Sequence, residues 1–196
     1  MAPIEDLDIH LVYRDPSRWR WTLQSLTTGT GYLDPADMDA TAFFKAGGGI
    51  RLFADRFFCF LDTEASGDLF SYVDFLMTGV VGLSQGVISP RLDRYRHGAV
   101  EAGVVARLHQ EDRSQLVLRE TGAVVELDFL DGTGEAPQVR GSLHFKHVAI
   151  VRSAWWAAAR QALVEYVSVV QQRIRASATP PVVVTEFVDA WNALSH

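Results

Sequence analysis

The residues of this chain best equipped for chemistry as a group run Arg91-Leu92-Asp93-Arg94-Tyr95-Arg96-His97. Their guanidinium groups and imidazole, interleaved with one phenol, could grip a carboxylate, a phosphate or a nucleic acid. A guanidinium stays charged and offers a planar fork of donors. The plainer reading is a solvated loop whose arginines pair with nearby Asp and Glu, and on an acidic chain that reading has precedence. Loops beside a rigid scaffold are still where binding residues gather. Arg91, Arg94, Tyr95, Arg96 and His97 are therefore the first candidates for a partner- or ligand-binding site.

Tryptophan supplies the second set. Trp19 and Trp21 fall on one face of a strand together with Leu23. They belong to the core if a helix covers that face, and form an aromatic platform for a partner or an apolar ligand if none does. Trp155 and Trp156 are adjacent on a helix, about 100° apart around its axis. One must be buried and the other left at a boundary or an interface, which adds Trp156 to the candidates.

Catalytic and metal chemistry find less. His144 and His147 would share a face on a helix, but their surroundings (Leu143, Phe145, Val148, Ile150) read as strand. There an odd separation sends the two rings to opposite faces. No HExxH spacing occurs. A phosphate-cradling loop follows a strand and opens a helix. Gly47-Gly48-Gly49 has the reverse order, while Gly29-Thr30-Gly31 and Asp131-Gly132-Thr133-Gly134 lie between strands. Cys59, between Phe58 and Phe60, reads as a core thiol with a raised pKa. No serine stands in a G-x-S-x-G elbow. The pairs Asp62/Glu64 and Glu126/Asp128 read as solvated edges. No catalytic residue, metal or cofactor is expected.

These residues need a scaffold, and the patterning supplies one. Strands are expected at Asp8 to Arg14, Arg18 to Leu26 and Ile50 to Leu61, the last as one long aromatic-rich strand. Asp34-Pro35 opens a short helix that Gly47 to Gly49 ends. Asp68 caps a helix to Leu83, whose Leu69, Val73, Leu76, Val80 and Leu83 make one apolar stripe. Gln85 to Gly98 reads as a loop or lid. A hairpin over Gln115 to Leu130 turns at Thr121-Gly122, with Leu118 opposite Val125 and Leu116 opposite Leu127. After a strand from Val139 to Val151, Ser153 caps the longest helix, Ala154 to Ala176. Thr185 caps a last short helix in the tail 181–196, with Phe187, Trp191 and Leu194 on one side. The order implies a single α+β domain over residues 1–196: an antiparallel sheet with helices packed on one face and a long C-terminal helix.

Composition agrees with that outline. The 196 residues are 48% hydrophobic and 11% aromatic, enough for one well-filled core. The single cysteine excludes an internal disulfide framework and a Cys-based zinc cage. The formal net charge of −6 lacks the electrostatic footprint of general nucleic-acid binding. The acidic N-terminus has no secretory pattern and no apolar run is long enough for a bilayer, so a cytoplasmic, non-membrane protein is expected.

Trp19-Arg20-Trp21, the helix Asp68 to Leu83, the strands through Val151 and the Trp155-Trp156 helix with its Ala162-Leu163-Val164-Glu165-Tyr166 run form one ordered pattern. That order resembles small bacterial toxin-immunity proteins of the WapI type and related uncharacterised actinobacterial domains. The loop Gln85 to Gly98 and the tail after Pro180 are additions to it, and no motif aligns residue by residue. The resemblance implies a non-catalytic protein that binds and blocks a toxin domain, an acidic surface suiting a basic toxin. A helix-grip protein or enzyme, holding a small apolar ligand in an aromatic-lined cavity, is the alternative. A third reading is a subunit that uses Trp156 or the Phe187, Trp191 and Leu194 face as its contact.

Overall fold

The structure is a computed structural model. It describes residues 2–14, 23–26, 43–54, 58–61, 68–84, 89–96, 101–109, 115–130 and 145–194. Alternating side chains make β1 (Leu7–Arg14) the organiser of a first antiparallel sheet. It pairs on one side with β2 (Leu23–Ser25) and on the other with β3 (Gly48–Ala54), which pairs in turn with β4 (Phe58–Leu61). The long strand expected over Ile50 to Leu61 is therefore two strands folded back on each other, Ala54 facing Phe58. The charged Asp55-Arg56 pair stands between them and interrupts the apolar run.

A second antiparallel sheet is a simple meander of β5 (Val104–His109), β6 (Gln115–Thr121), β7 (Val124–Leu130) and β8 (Phe145–Val151). The β6–β7 turn is centred one residue later than the pattern implies. Thr121 pairs with Val124, Leu118 with Leu127 and Leu116 with Phe129. Gly122 adopts φ +77°, the sign a type II′ turn needs at its first central position. Moving the turn by one residue changes each partner by two, so the aliphatics keep their common face. The sheets meet at the N-terminus: Ile4 donates to the Ala149 carbonyl (2.9 Å) and accepts from Val151 N–H (2.8 Å). One antiparallel sheet was expected, and the described strands form two.

The helices fill the space beside both sheets. In α1 (Leu69–Leu83), Asp68 Oδ1 accepts from the Ser71 N–H (2.7 Å) and hydroxyl (2.8 Å), as an N-cap should. Eleven of its residues are buried, including the whole expected stripe, so α1 is a central helix rather than an amphipathic one. The supposed loop around residues 89–96 is helical: a 3₁₀ turn over Pro90–Leu92 leads into α2 (Asp93–Arg96). Buried Leu92 and Tyr95 anchor it.

The long helix α3 (Arg152–Ala176) begins two residues earlier than expected, with Val151 at the cap position and no side-chain cap. Its first N–H groups have backbone partners already, Val151 on Ile4 and Arg152 on Ala123 (3.1 Å), so Ser153 is not needed there. The final helix, α4 (Val182–Leu194), starts directly after Pro180-Pro181. Thr185 lies inside its first turn, where its hydroxyl donates back to the Val182 carbonyl (2.7 Å). Phe187 of α4 meets Phe70 of α1 and Tyr166 of α3 edge-on, ring centres 5.6 and 5.7 Å away. One hydrophobic cluster joins both sheets and these helices.

Candidate functional site

Within the arginine cluster, Arg94 braces the neighbouring helices. Arg94 of α2 reaches Asp74 of α1 (3.3 Å) and Glu186 of α4 (3.8 Å), and its guanidinium lies 4.5 Å above the Tyr95 ring centre. Arg96 pairs with Asp93 one turn back (3.7 Å). Tyr95, expected on the surface, is only 1% exposed, and burial pushes its phenol well above the usual range. Arg91 is exposed. His97, Trp19 and Trp21 lie outside the described residues, as do His144, Asp62, Glu64 and the two glycine turns between strands; the Cys59 side chain does too.

Burial also raises the Asp74 carboxyl above the ordinary aspartate value, with Arg94 opposing the shift. The folded protein then holds this proton more tightly than the unfolded chain. Ionised Asp74 costs stability at neutral pH, and the cost fades as pH falls from the raised value to the ordinary one. Asp74→Asn is therefore expected to unfold at a higher urea concentration than the wild type at pH 7. The gap should close once the pH drops below the ordinary aspartate value. A lower midpoint at pH 7 would mean that the Arg94 pair outweighs burial. The side chain is half-exposed, so the gain is small.

The outward face of the second sheet departs from expectation at Asp128. Rather than being solvated, this carboxylate is buried, ion-paired with Arg119, and accepts from the His147 N–H (2.6 Å). A bulge explains it. Leu127 pairs with Val148 and Phe129 with Phe145, so β8 carries one extra residue and His147 takes φ +57°. The exposed His147 ring sits with Nδ1 3.0 Å from Glu126 Oε2. Among the described residues, no three His, Cys, Asp or Glu side chains are placed to hold a metal ion.

Concave surface occurs where α1 ends and α3 begins. An open pocket of about 380 Å³ is lined by Leu83, Ser84, Arg152, Ser153 and Trp156. Arg152 is fixed twice, donating to the Leu83 carbonyl (2.6 Å) and pairing with Glu120 (3.0 Å). Ser84 closes α1 by donating its hydroxyl to the Val80 carbonyl (2.7 Å). Trp155 is buried and Trp156 is half-buried at the boundary, the division that their adjacency requires. Arg160, one turn beyond, stacks on Trp156 (5.1 Å) and approaches Trp191 of α4 (6.0 Å).

Of the candidate residues, the structure brings Arg94 and Tyr95 together in that brace and puts Trp156 in the pocket. Arg152 and Arg160 were missed. Their signal was the spacing Arg152, Trp156, Arg160, which lines up on one helix face. It was hidden because the helix start was placed after Arg152. Comparison with protein-family models, with curated proteins and with solved structures gives no match to this chain.

Proposed function

We propose that this protein is a non-catalytic protein-binding module of the toxin-immunity kind, with its contact centred on the start of α3. The observation that carries the reading is Trp156, half-buried on a rigid helix, stacked by Arg160 and opening on a pocket. Tryptophan and arginine in such settings dominate binding energy at protein interfaces. Among the described residues, Arg94 is paired with Asp74 and Glu186, Asp128 with Arg119, and Glu126 with His147, so these charges have partners within the fold. The helix-grip alternative requires a cavity between the long helix and a sheet. In that position Trp155 packs onto α1 at Gly79, beside Leu118 of β6, which favours the protein-binding reading. Among the described residues no helix is long and apolar enough to cross a membrane.

The test is affinity capture from the native host, followed by reconstitution of the captured protein with the purified chain. A stoichiometric complex that silences a toxic activity is expected. Trp156→Ala should weaken it by about thirtyfold or more, as hot-spot truncations do. No retained protein, with a small molecule released from the chain in native mass spectrometry, would replace this reading with the ligand-binding one.

A further inference from the structure

We propose that the pocket between α1 and α3 is the anchor site for a partner segment carrying a flat apolar side chain beside a carboxylate. The inference deepens the protein-binding reading and rests on it for the kind of occupant. Size sets the first limit: about 380 Å³ lies at the small end of binding pockets and suits one large side chain. Leu83 and Trp156 make its apolar walls. Arg160 stacks on Trp156 from the turn beyond and holds the indole in place, so little side-chain freedom is lost when an apolar group packs against it.

Polar groups set the second limit. Arg152 has one terminal nitrogen on Glu120 and the other on the Leu83 carbonyl, which orients the guanidinium plane. Five N–H bonds radiate from a guanidinium, so donors remain for an incoming carboxylate. Glu120 offsets part of that charge. Arg160, whose guanidinium carbon lies over the Trp156 ring, adds a second positive charge beside it. Ser84 gives its proton to Val80, so its oxygen can accept an N–H from a bound backbone. Two arginines flanking one tryptophan thus reverse the local sign of charge on a chain of net charge −6. At contact distance that row complements an acidic segment, while salt screens the distant carboxylates.

The probe is a short acetylated peptide ending in phenylalanine, compared with its C-terminal carboxamide on isotope-labelled wild-type protein. Binding is read from the Trp156 indole N–H resonance, assigned with Trp156→Phe. The acid is expected to bind about tenfold more tightly than the amide, as one charge-assisted hydrogen bond allows. Arg152→Gln should abolish the difference. Equal affinity of acid and amide overturns the proposal. If N-acetylphenylalanine alone binds as tightly as the peptide, the pocket is a small-acid site and the proposal also falls. Should Arg152→Gln fail to fold, the acid and amide comparison on the wild type decides alone. A captured partner without acid preference removes this inference and leaves the protein-binding reading; acid-selective peptide binding without a captured partner removes that reading and, with it, the partner segment as occupant, leaving only the acid preference of the pocket.

Discussion

Truncating Trp155 to alanine is expected to lower the unfolding free energy by about 3–5 kcal/mol, the range for deleting a large buried aromatic. The ring is 1% exposed and lies where α1, α3 and the second sheet converge. Gly79 on α1 makes room for it. A Cβ at Gly79 would collide with the six-membered edge of the indole and stand 3.1 Å from Leu118 Cδ2. Gly79→Ala should therefore destabilise as well, by about 1–3 kcal/mol, despite alanine's better helix propensity. The two effects share one contact and should not add. In a Trp155→Leu background the alanine at 79 has space, and its penalty should fall by at least about 1 kcal/mol. Urea unfolding of the four proteins measures that coupling. Strict additivity would show that the glycine is not there for the ring.

The second large effect is expected at Asp128. Its carboxylate is buried beneath the outward face of the second sheet and holds Arg119 with one oxygen and the His147 N–H with the other. Removing one partner of a buried pair costs about 3–5 kcal/mol, because the surviving charge and donor lose their acceptor. Arg119 is about a quarter exposed and can recover some hydration, so Asp128→Ala should fall near 3 kcal/mol. Asp128→Asn keeps an acceptor for His147 and should lose less. The exposed pair of Glu126 with His147 is the control. His147→Gly gives up that pair but relieves a left-handed backbone, so it should stay within about 1 kcal/mol of the wild type. Equal losses at Asp128→Ala and His147→Gly in urea melts would show that the bulge, rather than the carboxylate, organises this edge.

These positions separate what was legible in the chain from what was not. α1 could be read closely because its signals are local: Asp68 caps a turn that ends at Ser71, and the stripe repeats within a few residues. The β6–β7 hairpin kept its apolar face through a one-residue error in the turn, since face depends on parity alone. The strand over Ile50 to Leu61 was misread because aromatic content does not mark where a strand reverses. Asp128 was misread because a solvated-edge expectation cannot foresee a bulge on the neighbouring strand.

The Arg91 to His97 cluster marks the same boundary for function. Its composition was visible, yet the partners of Arg94 lie 20 residues before it and 92 after it. Whether an arginine grips a partner or braces its own fold depends on which carboxylates the fold brings near. The sequence by itself determined the α+β class, the limits of α1 and the division of labour between Trp155 and Trp156. Caps, periodicity and helical angle act over one or two turns and need nothing distant. Only the tertiary structure decided that the strands divide into two sheets, that Tyr95 and Asp128 are buried, and that Leu83 meets Trp156 around a pocket. Those outcomes depend on contacts between segments tens of residues apart, where burial of apolar surface outweighs local preference.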